Sequence, residues 1–160
     1  RNMPKNRIQI AVRRLSQSGL ASPSELCGCT NEEIANLESQ SSVTLPSTFR
    51  TFLSLMGKRA GEFLVGTDWT FSQLPELKER AQGLLEECGL KTAVLPATAF
   101  VFAMHQGYQF LFFDSVAGDD PPVFLFLEGE DGPQQVFSSF SQWLLQCVDD
   151  EIEAYRESSG

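Results

Sequence analysis

A chain of 160 residues and 17.8 kDa has the length of one domain. Its 42% hydrophobic content, with 13 phenylalanines, is enough to fill a core without disulfides or metal, and excludes a disordered or fibrous chain. No apolar run approaches the ~20 residues that cross a bilayer, and a net charge of −9 disfavours nucleic acid and anionic lipid as partners while favouring basic ones.

Residues 7–18 place Ile8, Ala11, Val12 and Leu15 at helical offsets of three and four, and Gly19 follows as a stop. Residues 20–29 read as a loop around Ser22-Pro23-Ser24 and Gly28. Thr30 and Glu33 form a capping-box pair that opens a second helix, with Ile34 and Leu37 on its apolar face. Leu45-Pro46 breaks the chain. A third helix starts near Ser47, buries Phe49, Phe52, Leu53 and Met56, and stops at Gly57. Glu62 to Val65 is β-like, and Gly66-Thr67-Asp68-Trp69 reads as a loop or turn. Pro75 to Cys88 is a fourth helix.

The period then changes from 3.6 to 2. Phe100, Phe102 and Met104 alternate with Val101, Ala103 and His105. After the turn Gln106-Gly107, Tyr108, Phe110 and Phe112 alternate with Gln109, Leu111 and Phe113. Both faces of this hairpin are apolar, so it is predicted to be central in a sheet. Val123 to Leu127 and Gln134 to Phe137 are the next strands. Ser138 or Ser139 caps a last helix whose core face holds Phe140, Trp143, Leu144, Cys147 and Val148. The predicted fold is α+β: a single domain with a mainly antiparallel sheet packed against N-terminal helices, an inserted helix and a closing C-terminal helix.

Charge is unevenly spread. Residues 1–24 carry Arg1, Lys5, Arg7, Arg13 and Arg14 and no acid, while residues 25–160 carry all 21 acids. The cations of the first helix are expected to pair with the protein's own acids more readily than to bind nucleic acid. Chemistry is sparse by contrast. Phosphate-binding Gly-rich loops and the Gly-x-Ser-x-Gly motif are absent. His105 is the single histidine, and beside a hairpin turn it reads as packed or exposed before it reads as a base. The paired acids sit in Pro/Gly-rich loops or at a helix end, where carboxylates are solvated and do not acquire the raised pKa of a general acid. Cys27 and Cys29 lack the spacing and histidines of a zinc site. All four cysteines are expected to be reduced, with Cys88 and Cys147 as small core hydrophobes. No signal peptide is read at the N-terminus, and a cytoplasmic location is expected. No cofactor and no metal are expected.

Residues 28–57 run Gly-Cys-Thr-Asn-Glu-Glu-Ile-Ala-Asn-Leu-Glu, then Leu45-Pro46, Phe49-Arg50, Phe52-Leu53 and Met56-Gly57. This resembles the helix, Leu-Pro, helix signature of the SUKH superfamily, named in part for fungal cell-wall assembly regulators. Asp114, Pro122-Val123 and Phe140 with Leu144 resemble its later part. The resemblance covers roughly residues 27–147. It divides the chain into a basic helix and loop (1–24), a matched core (25–150) with a variable insertion (66–96), and an acidic tail (151–160). It implies a non-enzymatic binding domain, similar to bacterial immunity proteins that neutralise a cognate and often basic toxin such as a nuclease. A general protein–protein interaction or regulatory module is the alternative, and an acid- or His-dependent hydrolase the third. No nucleic-acid or membrane partner is expected.

The matched residues cap, turn or fill a core, so the binding face is sought among loop acids, since loops carry recognition on a rigid scaffold. The candidates are Asp68, Asp119, Asp120, Glu128, Glu130 and Asp131, with Trp69 and Tyr108 as apolar anchors. Trp69 reads first as a plug in the core and second as an anchor. Asp149, Asp150 and Glu151 in the last helix add further candidate contacts, with solubility of the C-terminus as the other reading.

Overall fold

A computed structural model describes residues 3–159. Five helices are present: α1 (Met3–Ser18), α2 (Asn31–Ser41), α3 (Ser47–Met56), α4 (Leu74–Glu87) and α5 (Phe140–Ser159). A two-stranded ribbon joins β1 (Leu26–Cys27) to β2 (Arg59–Ala60). The main sheet is an antiparallel meander in the order β3 (Thr67–Asp68), β4 (Ala99–His105), β5 (Gln109–Asp114), β6 (Val123–Leu127) and β7 (Gln134–Phe137). The α+β prediction holds, and the hairpin of β4 and β5 lies inside the sheet.

Local chemistry accounts for most boundaries. Pro4 is tolerated in the first turn of α1, where its missing N–H has no helical partner to lose. The helix ends at Gly19, whose φ of 90° is left-handed. Thr30 accepts the Glu33 N–H at 3.1 Å and Glu33 returns the bond to the Thr30 N–H at 2.9 Å, the reciprocal cap expected for α2. Ser139 caps α5 by accepting the Gln142 N–H at 3.3 Å. Gln106 and Gly107, at φ 49° and 79°, are the left-handed central residues of the turn between β4 and β5, which the Tyr108 N–H closes on the His105 carbonyl at 3.2 Å.

α1, α3 and α5 pack together on one face of the sheet, and α4 packs against β4. Phe49 of α3 is the hub. Its ring centroid lies 5.2 Å from those of Phe113 and Phe140 and 5.4 Å from that of Phe100. The opposite face carries a second aromatic row, with Phe110 5.5 Å from Phe126 and Phe112 stacked 5.3 Å from Phe124.

Local expectations are corrected at four places. Residues 62–65 form no strand. Gly61, Leu64 and Gly66 are left-handed, and the segment turns between β2 and β3. Thr67 and Asp68, read as loop, form the edge strand β3, and the loop 20–29 contains β1. The simple alternation of β4 also fails. A bulge between Val101 and Ala103 leaves Phe102 unpaired. Phe100, Ala103 and His105 therefore pair with Phe113, Leu111 and Gln109 on the α5 face, while Val101 and Met104 pair with Phe112 and Phe110 on the other. Phe102 also reaches Phe140 and Trp143 of α5, so Met104 lies on the face opposite Phe100 and Phe102. Helix α5 continues to Ser159 and so carries the acids that follow residue 150.

Candidate partner-binding site

Strand register sorts the candidate residues by position. Gln109 pairs with Leu127, and the Glu128 N–H donates to the Tyr108 carbonyl at 2.9 Å. The β4–β5 turn and the β6–β7 turn therefore share one end of the sheet. Thr67 pairs with His105, which brings the turn 61–66 to that end as well. Tyr108, Glu128, Glu130 and Asp131 thus belong together. Asp119 and Asp120, between β5 and β6, lie at the opposite end. Asp68 and Trp69 lie at the β3 edge, where the chain enters α4.

The two groups differ in what their side chains already do. Glu128, Glu130 and Asp131 are exposed, and none has a cationic side chain within 4.0 Å among the described residues. Asp68 accepts from Gln73 Nε2 at 2.8 Å and from Arg80 Nη1 at 2.8 Å, which ties the edge strand to α4. Trp69 is 5% exposed, with its ring 5.7 Å from Phe52 and 5.6 Å from Phe63. It plugs the core and is not available as an anchor. The Asp119 carbonyl accepts the Thr48 N–H at 3.1 Å, while its side chain is exposed.

Asp120 is a fastener of the fold. Its Oδ1 accepts the Ser141 N–H at 2.9 Å and its Oδ2 the Ser141 hydroxyl at 2.7 Å, so a carboxylate from the β5–β6 loop sits on the first turn of α5. The Thr48 hydroxyl of α3 lies 3.1 Å from Oδ1, and Arg7 of α1 stands 4.0 Å from Oδ2. Three helices meet on one side chain. Asp120→Ala is expected to lower unfolding free energy by about 2 kcal/mol, the cost of stripping charge-assisted bonds from partly buried donors. Asp120→Asn, which keeps an acceptor, is expected to cost less. Urea denaturation reads both. Unchanged stability in the alanine variant would make Asp120 a surface residue instead.

The basic N-terminal helix is turned inward in the same way. Arg7 bonds Ser141 at 3.1 Å, and Arg14 makes a two-pronged pair with Asp149 of α5 at 2.9 and 2.7 Å. Lys58 and Glu33 form a further pair at 2.6 Å. The hydrogen bond from Lys58 first, and those of the Thr30 cap after it, hold the Glu33 carboxyl below its ordinary range.

Between α5 and the sheet end lies a groove of about 410 Å³. Trp143, Cys147 and Glu151 line one wall at four-residue spacing, one face of the helix. Ala103, His105, Gln109 and Leu111 line the other. Leu64 and Val65 form the lip, where Val65 is 70% exposed beside Tyr108 at 37%. Glu151 Oε1 accepts the Leu64 N–H at 3.1 Å and so secures a left-handed leucine (φ 51°). The Thr67 hydroxyl is 2.9 Å from His105 Nδ1, and the His105 ring meets Tyr108 edge-on at 5.5 Å.

Reactive groups are muted here. Burial pushes the Cys147 thiol far up, with Glu151 and Asp150 adding to it, so it stays protonated. Burial likewise pushes Cys29 up to about 11, with Glu33 contributing. Among the described residues no three His, Cys, Asp or Glu side chains converge as metal ligands would. Iodoacetamide at pH 8 is expected to spare Cys29 and Cys147 in the native protein and to label both in urea, as read by mass spectrometry. Labelling of native Cys29 at that pH would contradict its burial. The neutral Cys29 thiol stabilises the fold fully below 9.0, its value when unburied, and that contribution is lost as pH rises towards 11.

The groove is what loop acids alone did not reveal. Glu151 was visible only as one of a run of helix acids, and Trp143 only as core. Their shared face with Cys147 was the available signal. No curated protein matches the chain as a relative. A model of the SMI1 / KNR4 family (SUKH-1) matches residues 28–146, a span that runs from the glycine before Cys29 to Gln146 in the first half of α5 and includes the whole main sheet. The chain therefore belongs to the SMI1 / KNR4 family (SUKH-1).

Proposed function

We propose that this domain is a non-enzymatic immunity protein that binds and neutralises a basic toxin through the sheet end carrying Tyr108, Val65, Glu128, Glu130 and Asp131. The observation that carries the reading is the pairing of exposed, uncompensated acids with exposed apolar side chains at one place. Recognition surfaces combine apolar anchors with a charged rim, and the charge steers encounter with an oppositely charged partner. Domains of this family generally act by binding other proteins, which supports the reading. The acids elsewhere on the chain, with its net charge of −9, extend the attractive field.

The test is binding to toxins encoded beside the gene, followed by association kinetics across ionic strengths. Association is expected to slow steeply as salt rises, with dissociation changing less. The combined Glu128→Gln, Glu130→Gln, Asp131→Asn variant is expected to lower the association rate about ten-fold, within the range that steering supplies. Salt-independent association, unaffected by the three neutralisations, would place the binding face elsewhere.

A further inference from the structure

We propose that the groove between α5 and the β4–β5 hairpin receives one arginine side chain of the partner, with Glu151 as its counter-ion. The proposal rests on the protein-binding reading above and adds the chemistry of the anchor. The groove wall is apolar and partly aromatic: Trp143, Leu111 and Ala103, with His105 at the open end. Such a wall suits an aliphatic stem and the flat face of a guanidinium, which is weakly hydrated and stacks on aromatic rings. Glu151 lies within this lining, and only its Oε1 is engaged, by the Leu64 N–H. Its Oε2 accepts no hydrogen bond and has no cation within 4.0 Å among the described residues. An anionic occupant is disfavoured by Glu151 and by the acidic β6–β7 turn at the same end of the sheet. A purely apolar occupant would bury the charge of that carboxylate with no cation to offset it and its Oε2 unbonded, which is costly.

The lip is built to match. Leu64 sits in a left-handed conformation that a leucine adopts only when held, and Glu151 is what holds it. One consequence is that Val65 stands out at the mouth, next to Tyr108, where the stem of an inserted side chain would pass. A single carboxylate thus shapes the lip and supplies the charge.

N-acetyl-arginine amide is the probe, with N-acetyl-lysine amide and N-acetyl-norleucine amide as comparisons, followed by NMR on the full chain. The arginine probe is expected to shift the Trp143 indole, His105 and Leu111 signals saturably. The lysine probe is expected to bind more weakly and the norleucine probe weaker still. Glu151→Gln retains an oxygen to accept the Leu64 N–H, so the Leu64 and Val65 amide signals should stay in place while arginine affinity falls about ten-fold, the loss of one charge-assisted bond. The triple variant of the β6–β7 turn should leave that affinity within about two-fold, since those acids act at longer range. Shifts that never saturate, or that spread over residues 128–131, would overturn the proposal, as would undiminished binding by Glu151→Gln. The two readings fail separately. A toxin whose association depends on Glu128, Glu130 and Asp131 but not on Glu151 removes the arginine groove and leaves the immunity reading. Saturable arginine binding in a protein that neutralises no basic toxin does the reverse.

Discussion

Replacing Phe49 with alanine is expected to lower unfolding free energy by about 4 kcal/mol, in the range measured for aromatic-to-alanine changes in packed cores. Phe49 is fully buried, and its ring is in contact range of five others: Phe52, Phe100, Phe102, Phe113 and Phe140. Those rings come from α3, two strands and α5, so they cannot all move into the space left behind. Part of the cost is the lost transfer of the ring from water and part is the unfilled cavity. Phe49→Leu keeps most of the volume and is expected to cost roughly 1–1.5 kcal/mol. Guanidinium titration of both variants checks the pair. A loss under about 2 kcal/mol in the alanine variant would mean that the aromatic cluster closes over the gap.

Gly28→Ala is expected to be as damaging for a different reason. A Cβ at this position would stand 1.8 Å from the Ser54 carbonyl oxygen and 2.5 Å from its carbon. Both are backbone atoms near the end of α3, so no side chain can swing aside. The close approach is needed because the Cys29 N–H donates to the Leu53 carbonyl at 2.8 Å, and the Lys58 N–H donates to the Cys27 carbonyl at 2.9 Å. These bonds fasten β1 and the start of α2 to the C-terminal turn of α3. The alanine would force them apart, at an expected cost above about 3 kcal/mol, at the upper end for overpacking. Thermal denaturation together with amide exchange at Cys29 reads the effect. Intact protection of the Cys29 amide in a stable variant would refute it.

The elements with a period were legible in the sequence, and those without were not. Four-turn helices and the long hairpin repeat their pattern often enough to declare themselves. β1, β2 and β3 are two residues each, too short for any alternation to show. Phe63-Leu64-Val65 has strand-forming side chains, but flanking Gly61 and Gly66 bend the backbone through left-handed conformations. At the site, Glu128, Glu130, Asp131 and Tyr108 could be read as exposed turn residues because a turn announces itself locally. Asp120 could not be told from them, since its partners Thr48 and Ser141 are 72 and 21 residues away in sequence. The groove was hidden for the same reason: one wall is α5 and the other is β4 and β5, and nothing local joins Glu151 to Leu64.

The bulge in β4 has a bearing on how this surface can vary. Before Phe102 the strand alternates in one phase, and after it in the other. The surplus residue lets Phe102 and Ala103, neighbours in sequence, both look towards α5. Removing Phe102 would restore an unbroken alternation with every remaining pair kept, so His105 would stay in the groove and Met104 away from it. What would go is a ring that meets Phe140 and Trp143. The bulge is thus a device for loading one more side chain onto the helix-facing side than a regular strand of that span can carry, and the wall of the groove is free to change by substitution without disturbing it.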